Sequence, residues 1–91
     1  MTVRSTISVA MATYNGGLYL QDQLSSLAAQ ELSPLELIIT DDGSNDDTVA
    51  LIKSFALHAP FPVRFEQNTV RLGYGRNFLK AASMCKGMHV A

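Results

Sequence analysis

Ile38-Ile39-Thr40-Asp41-Asp42-Gly43-Ser44-Asn45-Asp46-Asp47-Thr48 joins an apolar run to two carboxylates, a glycine and a group of side chains suited to starting a helix. The run begins at Leu35 and stops at the acidic pair. That order predicts a buried strand carrying acidic groups to the C-terminal edge of a sheet, followed by a tight turn into a helix. In open parallel sheets this edge is where ligands bind.

The flanking segments repeat the same grammar. Upstream, Ile7 to Ala12 is apolar or small throughout and uncharged, as a strand covered on both faces requires. Thr13-Tyr14-Asn15-Gly16-Gly17 follows, with Asn15 placed to cap a helix and glycines that permit a sharp turn. Leu20, Leu24, Leu27 and Ala28 then form one helical stripe, and Ser33-Pro34 closes the unit. Downstream, Ser44 and Asp47 have capping-box spacing, and Asp46 and Asp47 suit the positive end of a helix dipole. Thr48, Leu51, Ile52 and Phe55 predict a second helix that ends at Ala59-Pro60-Phe61-Pro62. Val63 to Gln67 alternates like an edge strand with one wet face. A loop from Asn68 to Arg76 leads to a third helix marked by Phe78, Ala81, Ala82 and Cys85, with Lys86 in its last turn and Gly87 at C′. Met88 to Ala91 reads as a fourth strand.

This β-α-β-α-β-α-β alternation predicts an α/β, Rossmann-like doubly wound parallel sheet with right-handed crossovers. Strands growing outward in the order 3-2-1, with the fourth returning beside the first, would open a crevice between strands one and four. On that reading the chain supplies half a site.

Composition narrows the class. The chain has 91 residues, 47% of them hydrophobic and 16% charged, which suits one packed domain and not a disordered segment. A formal net charge of −1 gives no general attraction to polyanions, so no nucleic acid is expected as a partner. Cys85 is the single cysteine, which rules out an internal disulfide and a cysteine-rich zinc site and fits a reducing compartment. Met1 to Thr6 carries one cation and no apolar segment, so no signal peptide is expected. No apolar run approaches the roughly 18 residues of a transmembrane segment. A cytoplasmic location is expected, at the inner face of the membrane if a longer parent protein associates with it.

The chemistry that these residues allow is ligand binding. Neighbouring strand side chains point to opposite faces, so Asp41 and Asp42 are not a paired acid and base. Either one accepts hydrogen bonds from a ligand, such as the imide N–H of uracil or thymine, or both cap the turn and the helix. Tyr14 follows the first strand, where its ring either stacks on a base or packs on the neighbouring loop. Arg71 and Arg76 flank Gly73 and Gly75 beside a helix start, a place for phosphate oxygens or for ordinary solvated arginines. Gly73-Tyr74-Gly75-Arg76-Asn77-Phe78 lacks the third glycine of a dinucleotide fingerprint. His58 reads as a helix-end cation, His89 as a strand residue and Cys85 as a core thiol. There is no Ser-His-Asp, nucleophile-elbow, Walker or Asp-x-Asp pattern, so no catalytic residue and no metal ligand is assigned.

Three segments in this order resemble the N-terminal half of a family 2 glycosyltransferase with the GT-A fold: Val9 to Gly16, Leu37 to Thr48, and Asn68 to Gly73 with Arg76-Asn77. The likeness runs from Ile7 almost to the end. Met11-Ala12 before Thr13, with Tyr19-Leu20-Gln21-Asp22-Gln23-Leu24, is similar to bacterial rhamnosyltransferase-type members that build cell-surface polysaccharide. The resemblance implies an inverting transfer from a UDP- or dTDP-linked sugar to an acceptor hydroxyl, saccharide or lipid-linked. It implies a divalent metal (Mg2+ or Mn2+), with its ligands beyond Ala91. It implies nucleotide contacts from Thr13, Tyr14, Asn15, Asp41, Asp42, Arg71 and Arg76. Gly87-Met88-His89-Val90-Ala91 resembles the approach to the metal motif, so residues 1–91 are expected to be a nucleotide-sugar-binding portion, truncated before that motif and inactive alone.

Two other classes compete. A receiver-like signalling module also has strand-end aspartates, but its acidic pair follows the first strand, whereas here the pair follows the second. An interaction domain would use an exposed sheet edge, and homodimerisation through that edge is an expectation.

Overall fold

A computed structural model of the chain describes residues 3–4, 6–30 and 32–90, with the side chains of 3–4, 32 and 88–90 left aside. In chain order the elements are β1 (Val3–Arg4), β2 (Ile7–Thr13), α1 (Gly17–Ala28), β3 (Leu32–Ser33), β4 (Glu36–Asp41), α2 (Thr48–His58), β5 (Val63–Gln67), α3 (Tyr74–Ser83) and β6 (Met88–Val90). Four strands form one sheet in the order β5-β4-β2-β6, every pairing parallel. This is the expected 3-2-1-4 arrangement.

Burial explains the order. All six residues of β4 are buried, as a central strand with helices on both faces must be. On one face Leu37 and Ile39 pack with Leu20 and Leu24 of α1, Ile52 of α2 and Phe61. On the other, Ile38 packs with Ala10 of β2 and with Ala81 and Ala82 of α3. The small side chains there let α3 lie close to the sheet. β5 alternates half-buried and exposed residues, as an edge should. On the opposite edge β6 meets β2 only at Ile7–Val9, so among the described residues Ala10 to Thr13 have no strand partner on that side.

Several local expectations are corrected. Asn15 does not cap α1. Gly16 is its N-cap residue, and Asn15 sits at φ 49° with its Oδ1 accepting from Asn45 N at 2.9 Å. The Ser44/Asp47 capping box does not form, because Ser44 turns back to donate to Asp41 Oδ1 at 2.6 Å. The start of α2 is held by Asp46 instead, whose Oδ1 accepts from Thr48 N at 2.9 Å. The loop after β5 ends at Gly73, so Gly75 and Arg76 lie in the first turn of α3. That helix stops at Ser83, which puts Cys85, Lys86 and Gly87 beyond it. Gly87 serves close approach and not a C′ turn: a Cβ there would collide with the Thr6 carbonyl oxygen. Cys85 is half-buried against the Ala10/Ile38 cluster. The short β1–β3 pairing had no signal in the sequence. The expected strand residue Ala91 and the leader residues Met1, Thr2 and Ser5 lie outside the described residues, as does the side chain of His89.

Under the sheet, at its N-terminal edge, Glu36 is 5% exposed and forms a polar staple. It accepts from Ser8 Oγ and Lys86 N, both at 2.7 Å, and pairs with Arg64 Nε at 3.6 Å. Burial works to raise its carboxyl, but those hydrogen bonds and cations outweigh it and the net shift is downward.

Candidate functional site

At the opposite, C-terminal edge of the sheet, a cleft of about 360 Å³ lies between α1 and α3. Thr13, Tyr14, Asp42 and Arg71 line it, with Gln23, Tyr74 and Asn77. Four of the seven nucleotide-binding candidates therefore meet in one cavity, while Asn15, Asp41 and Arg76 are not among the lining residues.

The two aspartates diverge, as their strand geometry requires. Asp41 is completely buried. Its Oδ1 accepts from Thr13 Oγ1 at 2.7 Å and Ser44 Oγ at 2.6 Å. Its Oδ2 accepts from Ser44 N at 2.8 Å, Gly43 N at 3.1 Å and Gln67 Nε2 at 3.4 Å. Gly43 reaches φ 91°, a conformation that glycine takes without a Cβ penalty, and this brings both N–H groups to one oxygen. Asp41 is thus the keystone of the turn and is spent on it.

Asp42 faces the cleft, and the loop from Asn68 to Gly73 folds onto it. Oδ1 accepts from Leu72 N at 2.7 Å and Asn68 Nδ2 at 3.0 Å, and Oδ2 accepts from Gly73 N at 2.9 Å. Gly73 is the N-cap of α3 at φ 85°. The Leu72 N–H holds the Asp42 carboxyl below the usual carboxylate range; burial opposes this, and Asn68, Gly73 and Arg71 reinforce it. A carboxylate offers about four acceptor positions. One on Oδ2 is left without a hydrogen bond, and Arg71 Nε stands 3.8 Å from it.

The sign of a pH effect follows. A folded-state carboxyl below its ordinary value of 3.8 contributes stability above that value and loses it as pH falls through the depressed one. Urea unfolding from about pH 6 to about pH 2.5 is expected to show a steeper acid loss for the wild type than for Asp42→Asn. Parallel acid limbs would mean that Asp42 is not held by this loop. Glu36 and Asp46 shift in the same direction, so a common slope persists in both proteins.

Asn77 was not among the candidates, although it is 2% exposed. Its Nδ2 donates to Thr40 O at 3.0 Å and Thr13 O at 3.3 Å, and its Oδ1 accepts from Asn68 Nδ2 at 2.9 Å. It ties the ends of β2 and β4 to the loop that grips Asp42. Arg76, one residue before it, is exposed. Tyr14 carries Arg71 on its ring face, the guanidinium carbon 4.0 Å from the centroid and Nη1 3.2 Å from the hydroxyl.

Among the described residues no group of three or more His, Cys, Asp or Glu side chains is placed to hold a metal ion. The resemblance places the ligands of its divalent cation beyond Ala91, and no step is assigned to that cation. Among the described residues, too, no helix is long and apolar enough to cross a membrane.

The family model described as Glycosyl transferase family 2 matches residues 8–91. Abequosyltransferase RfbV of Salmonella typhimurium is 37% identical over 83 residues, covering 89% of this chain and 25% of that protein. The dTDP-rhamnosyl transferase RfbG of Shigella flexneri is 32% identical over 71 residues, covering 77% of this chain and 25% of that protein. Among solved structures, S. aureus TarS 1–349 superposes with a TM-score of 0.80 at 25% identity, covering 92% of this chain and 26% of that one. The chain spans about a quarter of the length of these relatives.

Proposed function

The chain belongs to glycosyl transferase family 2, and from that premise we propose that it is the nucleotide-binding part of an inverting transferase using a UDP- or dTDP-linked sugar. The parent enzyme would pass the sugar to a hydroxyl of a saccharide or lipid-linked acceptor in the cytoplasm, for cell-surface polysaccharide. The dTDP-rhamnosyl transferase relative supports a dTDP-linked donor.

The observation that carries the reading is the one remaining acceptor position on Asp42 Oδ2, at the rim of a cleft shared with the Tyr14 ring. A uracil or thymine imide N–H donates to such an oxygen. Cytosine presents a bare acceptor at the same ring position and would meet a carboxylate lone pair. Tyr14 supplies a stacking surface worth on the order of 1–3 kcal/mol per base. Thr13 and Asn15 line or brace the nucleoside side, Asp41 fixes the turn, and Arg71 and Arg76 supply cations for the diphosphate. Self-association through the open Ala10–Thr13 edge of β2 belongs to the same proposal for the isolated chain.

The test is calorimetric titration of UDP, dTDP and CDP into the chain. UDP and dTDP are expected to bind at least about tenfold more tightly than CDP, the discrimination of a site whose hydrogen bond has the wrong partner. Asp42→Asn should lose most of that preference. Equal affinity for CDP in the wild type would remove Asp42 from base recognition.

A further inference from the structure

β6 is too short to fix its own place in the sheet. Its three residues pair with Ile7, Ser8 and Val9 of β2, and a parallel ladder of that length resists slippage weakly. A slip of one residue would exchange the two faces of the strand, and a slip of two would displace it by about 7 Å. β6 runs in the same direction as β2, toward the edge where the cleft lies, so its register decides which residues arrive at that rim.

The register is held from the opposite edge. Just before β6, Lys86 N donates to Glu36 Oε2 at 2.7 Å. Ser8 Oγ donates to the same oxygen at 2.7 Å and accepts from Gly87 N at 3.0 Å. The direction of this relay is fixed, because an ionised carboxylate only accepts. Glu36 Oε1 faces Arg64 Nε at 3.6 Å, and Arg64 also donates to the carbonyl of Met84, the C-cap residue of α3. Gly87 lies so close to the Thr6 carbonyl oxygen that a Cβ there would collide with it. Two consecutive amides and one glycine thus meet partners on β4, on β2 and at Thr6 in a single alignment. Moving the chain along by one residue would break both hydrogen bonds and put a side chain against that carbonyl.

We infer that Glu36, at the edge of the sheet away from the cleft, is a positioning residue that sets the register of β6 through the Lys86 and Gly87 amides. Glu36 is 5% exposed and Ser8 is fully buried, so water does not readily replace either acceptor. The lock stands on this geometry alone; its consequence for the cleft rests on the transferase reading above. A carboxylate that touches no ligand thereby governs what the fourth strand of the sheet brings to the rim.

The experiment is amide hydrogen exchange and backbone NOE measurement on the 15N-labelled chain, for the wild type, Glu36→Met, Glu36→Gln and Gly87→Ala. In Glu36→Met the Lys86 and Gly87 amides are expected to exchange about tenfold or more faster relative to those of Ile38 and Ile39, which lie in the buried central strand and open with the whole sheet. The Ile7–Met88 and Val9–Val90 NOEs should weaken or divide between registers, while those of Val9–Leu37 and Met11–Ile39 persist. Glu36→Gln keeps an oxygen for Lys86 N and should restore most of the protection, which separates a specific acceptor from burial in general. Gly87→Ala should shift the same β2–β6 NOEs with Glu36 intact, and it carries the test if Glu36→Met does not fold. The inference is overturned by unshifted β2–β6 NOEs in Gly87→Ala, by a Glu36→Gln chain as open as Glu36→Met, or by exchange at Lys86 and Gly87 that rises no more than at Ile38 and Ile39. No nucleotide enters the experiment, so its failure leaves the base site standing, and a failed UDP titration leaves the lock standing.

Discussion

Asp41→Ala is expected to destabilise the chain by about 3–5 kcal/mol, measured as the loss of unfolding free energy in urea at neutral pH. The carboxylate is fully buried and gathers five donors from four residues: Thr13, Gly43, Ser44 and Gln67. Alanine leaves the Gly43 and Ser44 N–H groups and the Thr13 hydroxyl without their acceptor, each costing about 1–3 kcal/mol where water cannot replace it. Asparagine is not a rescue. It keeps the shape but replaces one acceptor oxygen with an NH2 group that faces donors. Against a total stability of about 5–15 kcal/mol for a small domain, either change is severe. A loss under about 1 kcal/mol would show that the turn is held by something else.

Ile39→Ala should cost a comparable amount, about 2–5 kcal/mol, for a different reason. Ile39 is fully buried in the central strand, between Met11 of β2 and Phe65 of β5 along the sheet and packed with Leu20, Leu24 and Ile52. Truncation opens a void among residues fixed on four elements, which leaves little room for collapse. Ile39→Leu conserves the volume and should lose less than about 1.5 kcal/mol. The contrast is the diagnostic: equal losses would point to backbone or propensity effects, not to packing.

The architecture was legible because it is written in apolar runs. The buried strand from Leu37 to Ile39, the stripe Leu20/Leu24 and the stripe Thr48/Ile52 each carry their own period, and the strand order follows from short parallel crossovers. The rim was less legible. Which oxygen of Asp42 meets which N–H depends on a loop some thirty residues away, and no local pattern encodes that folding-back. Ser44 and Asn15 were read as caps of their own helices because local spacing allows it; both spend their side chains on other partners. Asn77 could have been found. It lies four residues before Ala81 on the buried stripe of α3, and a polar residue on an apolar stripe signals a satisfied and positioned group. Arg76 drew attention instead because it is charged, yet charge next to a helix start says nothing about which way the side chain leaves the helix.

The two turns at this rim are laced to each other, and the second completes the start of α1. Gly17 N, at the start of α1, donates to Asp46 from the turn before α2, and Gly16 N donates to Thr48. Asn15 N donates to Ser44, and Asn45 N to Asn15. Surface connections ordinarily tolerate added or missing residues. Here a residue inserted between Tyr14 and Gly17 would pull three amides away from acceptors on the other turn, and a deletion between Ser44 and Thr48 would do the same in reverse. The lengths of the two turns are therefore locked to each other, and loop grafting at this end of the molecule has to exchange both together.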